Sequence, residues 1–212
     1  MFVNNLDPVA FEFLSFQIRW YSLAYIFGFL IGWFYIKNFL IKDLREKTLV
    51  DDFITYLILG VIIGGRLGYV IFYNFFYYLS HPFEIFFIWQ GGMSFHGGLL
   101  GVCLATYIFT QKYNLNFFRY TDLVSLVAPI GIFLGRIANF INSELYGRET
   151  DFIFSVNFNK VDNLFRHPSQ LYESFFEGIV LFIILNLLWK KFSEIPGVIS
   201  SLFLIGLRDI AF

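Results

Sequence analysis

Arg136 lies in the run Gly135-Arg136-Ile137-Ala138-Asn139-Phe140-Ile141-Asn142-Ser143-Glu144-Leu145-Tyr146-Gly147-Arg148, where an apolar stretch long enough to cross a bilayer turns polar. A guanidinium at such depth costs about 2.5–3.5 kcal/mol on insertion scales, so it persists where something anionic or polar receives it. The abundant anion of a membrane is a lipid phosphate, and a planar guanidinium suits phosphate through paired N–H donors. Asn139 and Asn142 stand three apart on one helical face and read either as headgroup ligands or as interhelical hydrogen-bond donors. An ion pair of Arg136 with Glu144 or Glu173 is the structural alternative.

Arg66 sits in Gly64-Gly65-Arg66-Leu67-Gly68, again inside apolar sequence, with small residues that permit close helix approach. His96 sits in Gly91-Gly92-Met93-Ser94-Phe95-His96-Gly97-Gly98, where glycine pairs on both sides predict a re-entrant or partly unwound segment lining a cavity. A neutral imidazole there can accept a proton near neutral pH, or it can be a hydrogen-bonded structural group. Arg19 and Arg148 stand where side chains snorkel to headgroups. His81, His96 and His167 show no two-histidine helical spacing, which disfavours a metal site, and no cofactor motif is visible.

The elements that must hold these residues follow from composition. With 58% hydrophobic residues, 15% charged residues and a mean hydropathy of +0.66, the apolar blocks are too long for strands, and the chain reads as an all-α, polytopic transmembrane helix bundle. A formal charge of −1 argues against a nucleic-acid surface, and one cysteine, Cys103, excludes an intrachain disulfide. The first 18 residues carry no Lys or Arg, so they do not read as a cleaved signal. Spans are expected near 19–37, 53–75, 93–110, 122–141, 170–189 and 197–212, in a single integral domain spanning 1–212. Lys and Arg concentrate in connections 37–52, 111–121 and 190–196, which places these in the cytoplasm and the N-terminus outside. At 1.5 Å per residue, Arg19 to Tyr21, Arg66, His96, Arg136 with Asn139, and His167 to Glu173 then fall at one outer-leaflet level. The loop 142–169 is expected to form a small periplasmic head, with Phe152–Phe158 β-prone and roughly alternating.

The stretch Gly135 to Gly147 resembles the signature of the prolipoprotein diacylglyceryl transferases, with every constrained position met and Ala138 in the small-residue slot. Arg19-Trp20-Tyr21, Gly64 to Tyr69, Gly92 to Gly98 and His167-Pro168-Ser169-Gln170-Leu171-Tyr172-Glu173 also resemble the family's blocks, in family order. The resemblance implies a bacterial inner-membrane enzyme that moves the diacylglyceryl group of phosphatidylglycerol to the lipobox cysteine of a prolipoprotein signal peptide, forming a thioether and releasing glycerol phosphate.

On that reading Arg136 holds the phosphate, Arg66 is a second electrostatic partner and His96 takes the thiol proton. Asn139, Asn142 and Glu144 position headgroup hydroxyls or hold the arginines, Tyr21 donates to lipid, and Gly147, Arg148 and His167 complete the substrate-binding set. The match is looser at Ile205-Gly206-Leu207-Arg208-Asp209-Ile210-Ala211-Phe212, where Arg208 stands in for a family arginine and the family's further helix does not follow. An anion or lipid transporter, and an inactive, C-terminally truncated member of the family, are the competing classes. A transporter would need polarity continuing inward, and the inner helix halves are apolar apart from Thr55 and Ser125.

Overall fold

A computed structural model describes residues 2–13 and 16–210. Helices dominate it: α1 (Trp20–Tyr35), α2 (Leu44–Phe72), α3 (Phe75–Ser80), α4 (Phe95–Tyr113), α5 (Phe117–Asn142), α6 (Ser169–Glu173), α7 (Leu181–Phe192) and α8 (Val198–Ile210). Four helical stretches among the described residues are long and apolar enough to cross a membrane: Trp20–Leu40, Leu44–Phe72, Phe117–Asn142 and Ser169–Phe192. Two of these are joined through π-helical turns, Ile36–Leu40 after α1 and Ser174–Val180 between α6 and α7. The expected spans 93–110 and 197–212 fall on α4 and α8, which are outside those four. The final two residues of the expected 197–212 span lie outside the described residues.

The chain divides into two compact units, Met1–Tyr35 with Asp122–Phe212, and Ile36–Thr121. In the second, α2 starts where Asp43 accepts the Arg45 N–H at 2.8 Å, an N-cap that satisfies an otherwise orphaned donor. Gly60, Gly64 and Gly68 of α2 face Gly97, Gly101 and Ala105 of α4 so closely that a Cβ on Gly68 would stand 2.7 Å from the Gly97 Cα. A four-residue repeat of small side chains on both helices permits this approach. Beyond the seam Phe53, Phe109 and Tyr120 pack ring to ring, with centroids 4.9–5.4 Å apart and all three fully buried.

In the first unit, α1 packs on α5 at Gly28 and Gly32, where a Cβ would meet the Gly131 Cα and the Val127 side chain at 3.4 Å. Buried Asp122 accepts the backbone N–H groups of Gly197 and Ser200 at 2.7 Å each, capping the start of α8 from α5. A carboxylate at a helix N-terminus also complements the helix dipole.

Among the described residues two small sheets accompany the helices. β2 (Val9–Phe13) pairs antiparallel with β3 (Phe16–Arg19), which runs directly into α1. β4 (Val156–Asn157) lies between β1 (Phe2–Val3) and β5 (Phe165–Arg166), parallel to the first and antiparallel to the second. The strand expected over Phe152–Phe158 is thus confined to Val156–Asn157, and Phe152, Ile153 and Phe154 stand exposed. Its partner strand comes from the N-terminus, and Asn4 ties the two together. Fully buried Asn4 donates its side-chain N–H to the Phe140 carbonyl at 2.6 Å, while its backbone N–H reaches the Asn157 carbonyl at 2.8 Å. One asparagine thereby satisfies an orphan carbonyl of the last turn of α5 and registers the sheet.

Candidate functional site

Arg136 reaches away from α5 to two carboxylates. Its Nε lies 2.9 Å from Glu173 Oε2 and its Nη2 lies 3.4 Å from Glu177 Oε2, while Nη1 makes no hydrogen bond or ion pair among the described residues. The Glu173 contact is an ion pair by distance, without hydrogen-bond alignment at that oxygen, which is buried. Arg136 keeps 28% of its side chain exposed whereas Glu177 keeps 6%, so the guanidinium is covered on its carboxylate side and open elsewhere. Of the two pairings weighed for Arg136 from sequence, Glu173 is the one formed.

Glu144 instead turns to the asparagines. Helix α5 ends at Asn142, and Ser143 (φ +60) and Leu145 (φ +53) both adopt the left-handed region without being glycine. Such conformations persist only where surroundings over-determine them, and they cluster at functional sites. The turn holds Glu144 between them: its N–H donates to the Asn139 carbonyl at 2.9 Å, and its carboxylate accepts the side-chain N–H groups of Asn139 at 3.2 Å and Asn142 at 3.4 Å. The Gln170 side-chain N–H donates to the Glu144 carbonyl from α6. Asn142 Oδ1, Ser143 Oγ and Gln170 Oε1 are buried with no hydrogen-bond partner among the described residues. Two left-handed residues and three buried polar side chains thus fix Glu144 and the asparagines in one turn.

Gly147 follows, its N–H donating to the His167 carbonyl at 2.9 Å. A Cβ there would stand 2.9 Å from the His167 Cβ and collide with Ser169 Oγ, which explains the glycine. His167 returns a bond from its N–H to the Arg148 carbonyl at 3.0 Å, and its ring Nδ1 lies 3.4 Å from the Tyr172 hydroxyl. Arg148 itself is exposed. Arg136, Asn139, Asn142, Glu144, Gly147 and His167 are therefore gathered by α5, the turn after it and α6.

Arg66 and His96 belong to the other unit. Arg66 is 4% exposed, and its guanidinium donates to four main-chain carbonyls: Nε to Ile85 at 2.8 Å, Nη1 to Gly91 at 2.6 Å and Gly92 at 3.1 Å, and Nη2 to Glu84 at 2.7 Å. It also lies over the Tyr78 ring, 5.3 Å from its centroid. One N–H of five is left for anything else. Gly91 (φ +87) and Gly92 (φ +80) shape the segment that this side chain pins. That segment is irregular as expected, but α4 begins at Phe95 with Ser94 Oγ capping the Gly97 N–H at 3.2 Å, so His96 stands in a regular first turn, exposed and ring-packed against Phe95.

Tyr21 lies in the first turn of α1 with its ring against Tyr25 at 5.3 Å. Arg208 is exposed in the last turn of α8. Glu177 and Gln170 are the participants that the sequence reading passed over. Glu177 carried a signal, being an acid inside an apolar span.

A family model described as prolipoprotein diacylglyceryl transferase matches residues 8–208. A phosphatidylglycerol–prolipoprotein diacylglyceryl transferase of Rickettsia canadensis is 54% identical over 188 residues, covering 87% of this chain and 72% of that protein. One of Rickettsia felis with the same name is 50% identical over 206 residues, covering 95% of this chain and 79% of its own. That of Rickettsia typhi is 52% identical over 187 residues.

Proposed function

This chain belongs to the prolipoprotein diacylglyceryl transferase family, and from that premise we propose that it transfers the diacylglyceryl group of phosphatidylglycerol to the cysteine thiol of a prolipoprotein. The sulfur–carbon bond forms at the glycerol carbon as the carbon–oxygen bond to phosphate breaks, so a thioether and glycerol phosphate leave together. The single observation that carries the chemistry is Arg136: a guanidinium in a membrane-spanning helix, open at Nη1 and held elsewhere by carboxylates.

The leaving phosphate gains negative charge as the bond breaks. A donor fixed in a low-dielectric site stabilises that charge more than water does. Arg136 fills this role. The turn Asn142–Glu144 with Asn139 takes the headgroup hydroxyls, the exposed Glu144 carboxylate accepting from them and the two asparagines holding it in place. Gly147 keeps this turn close to His167, and Arg148, exposed beside it, offers a second cation to the anionic lipid. Tyr21 contacts the lipid, and Arg208 adds charge near the end of α8.

The substrate thiol has an ordinary pKa of about 8.5 and reacts as the thiolate. His96 is the assigned proton acceptor: its ring is exposed, and no hydrogen bond commits it among the described residues. The proton then leaves with the phosphate product, which closes the balance. Arg66 is the second cation of the reading, and its main-chain bonds hold the segment leading to His96. The lipobox signal peptide and the lipid both arrive from the outer leaflet, with the N-terminus outside and six helices spanning.

Incubating the purified chain with headgroup-intact, acyl-labelled phosphatidylglycerol and a lipobox peptide tests the reading. Label on the peptide cysteine is the expected result. Anion flux into vesicles without peptide labelling would overturn it in favour of a transporter, and neither signal would leave a non-catalytic member of the family.

A further inference from the structure

We propose that Glu177, together with Glu173, is a positioning residue for Arg136, clamping the Nε and Nη2 edge of the guanidinium so that Nη1 is presented to the phosphate. The inference rests on the reading of Arg136 as the phosphate ligand.

Glu173 closes α6, and Glu177 lies in the π-helical turn Ser174–Val180 that follows it. π-turns are rare, short interruptions of α-helices and recur at functional sites. This one lies against α5 one turn before Arg136. Ser174 Oγ donates to the Phe133 carbonyl at 3.3 Å, and a Cβ on Gly178 would stand 2.7 Å from the Phe133 Cβ and 3.0 Å from its Cα. Ser174 and Gly178 are thus the points where the segment touches α5. Glu173 and Glu177, each one residue earlier, reach Arg136 from the same surface. The spacing of four within each pair puts both contacts on one stripe.

Charge balance separates a clamp from a simple ion pair. One guanidinium inside a span is neutralised by one carboxylate, and a second buried acid is a net cost unless it does something more. Held at two atoms of one edge, the planar group is restrained from rotating about its Nε–Cζ bond. Its open edge keeps one direction, which matters because misplacement of a catalytic donor by about 1 Å can cost roughly a hundredfold in rate. The extra negative charge also opposes anion binding. Neutralising Glu177 therefore moves the two kinetic constants differently: turnover falls as orientation is lost, while lipid affinity holds or improves.

The experiment measures kcat and KM for phosphatidylglycerol in the full-length chain. Glu177→Gln is expected to lower kcat about tenfold with KM unchanged or reduced, and Glu177→Asp to recover part of the loss. In an Arg136→Lys background Glu177→Gln should add nothing further. Unchanged kcat, or a raised KM with kcat intact, overturns the proposal. Should Glu177→Gln not accumulate as folded protein, Glu173→Gln is judged by the same criteria. Nitrogen NMR of arginine-labelled protein keeps the two readings apart if the parent chain transfers no label. Hindered rotation of the Arg136 guanidinium about its Nε–Cζ bond that becomes free in Glu177→Gln supports the clamp, and identical rotation in both overturns it, while the missing transfer counts against the enzyme alone.

Discussion

Arg136 and Arg66 come from similar glycine-containing contexts, yet their side chains have opposite fates. Arg66 is buried with four of its five N–H groups on main-chain carbonyls, whereas Arg136 is bound on one edge and open on the other. A guanidinium needs a free, oriented edge to receive a phosphate, and only the second has one. Lysine at position 136 keeps the charge but loses the planar fork. Arg136→Lys should therefore reduce kcat/KM about 10- to 100-fold, or roughly 1.4–2.7 kcal/mol of transition-state stabilisation, with the protein still folded. A transfer assay on detergent-solubilised protein checks this, and a fully active lysine variant would move the phosphate elsewhere. The glycine, arginine and asparagine spacing marked this residue in the sequence. Its partner Glu177 stands 41 positions away and could not be paired with it by spacing.

The helices meet through glycine. Along the α2–α4 seam a Cβ on Gly60 would lie 2.8 Å from the Ala105 Cβ, and one on Gly101 would run into the Gly60 carbonyl. Gly131 in α5 has nothing within 4 Å of the same position. Gly101→Leu should separate α2 from α4 and destabilise the protein by about 1–3 kcal/mol, the usual range for overpacking. Gly131→Ala should be neutral or slightly stabilising, because alanine is the better helix former. Thermal unfolding in micelles distinguishes them, and equal midpoints for the two variants would show that the seam is not close-packed. The four-residue glycine repeats were visible in the sequence as small residues; which helix faces which was not, since nothing in a periodic pattern names its partner.

On the scale of the whole molecule, the loop after α5 is closed by its own charges and by the N-terminus. Asp162 accepts from Arg166 Nη2 at 2.7 Å, and Arg166 lies over the Tyr146 ring, 5.0 Å from its centroid. Bonds from Arg166, and then from the Leu164 N–H, hold the Asp162 carboxyl below its ordinary value. A carboxyl whose pKa is lower in the folded state stabilises that state above its unfolded pKa and loses the effect as pH falls through the folded one. We expect the loop to loosen in acid, below about pH 4, and Asp162→Asn to abolish that dependence. Pepsin cleavage between β4 and β5 across the acid range reads it directly. Identical cleavage profiles for parent and variant would place the acid-sensitive contact elsewhere.

The apolar blocks and the polar run from Arg136 to Gly147 were set by the sequence alone, because hydropathy and helical spacing are local properties of a chain. The tertiary structure decided everything that depends on a distant partner. It added Asn4 and β1 to the small sheet, shortened the expected strand to Val156–Asn157, and started α4 at Phe95 so that His96 lies in its first turn. It also used most of Arg66 on a loop and brought Glu177 to Arg136 through a π-turn. Main-chain carbonyls and buried carboxylates compete for the same N–H donors, and which of them reaches a given guanidinium is settled only when the helices pack.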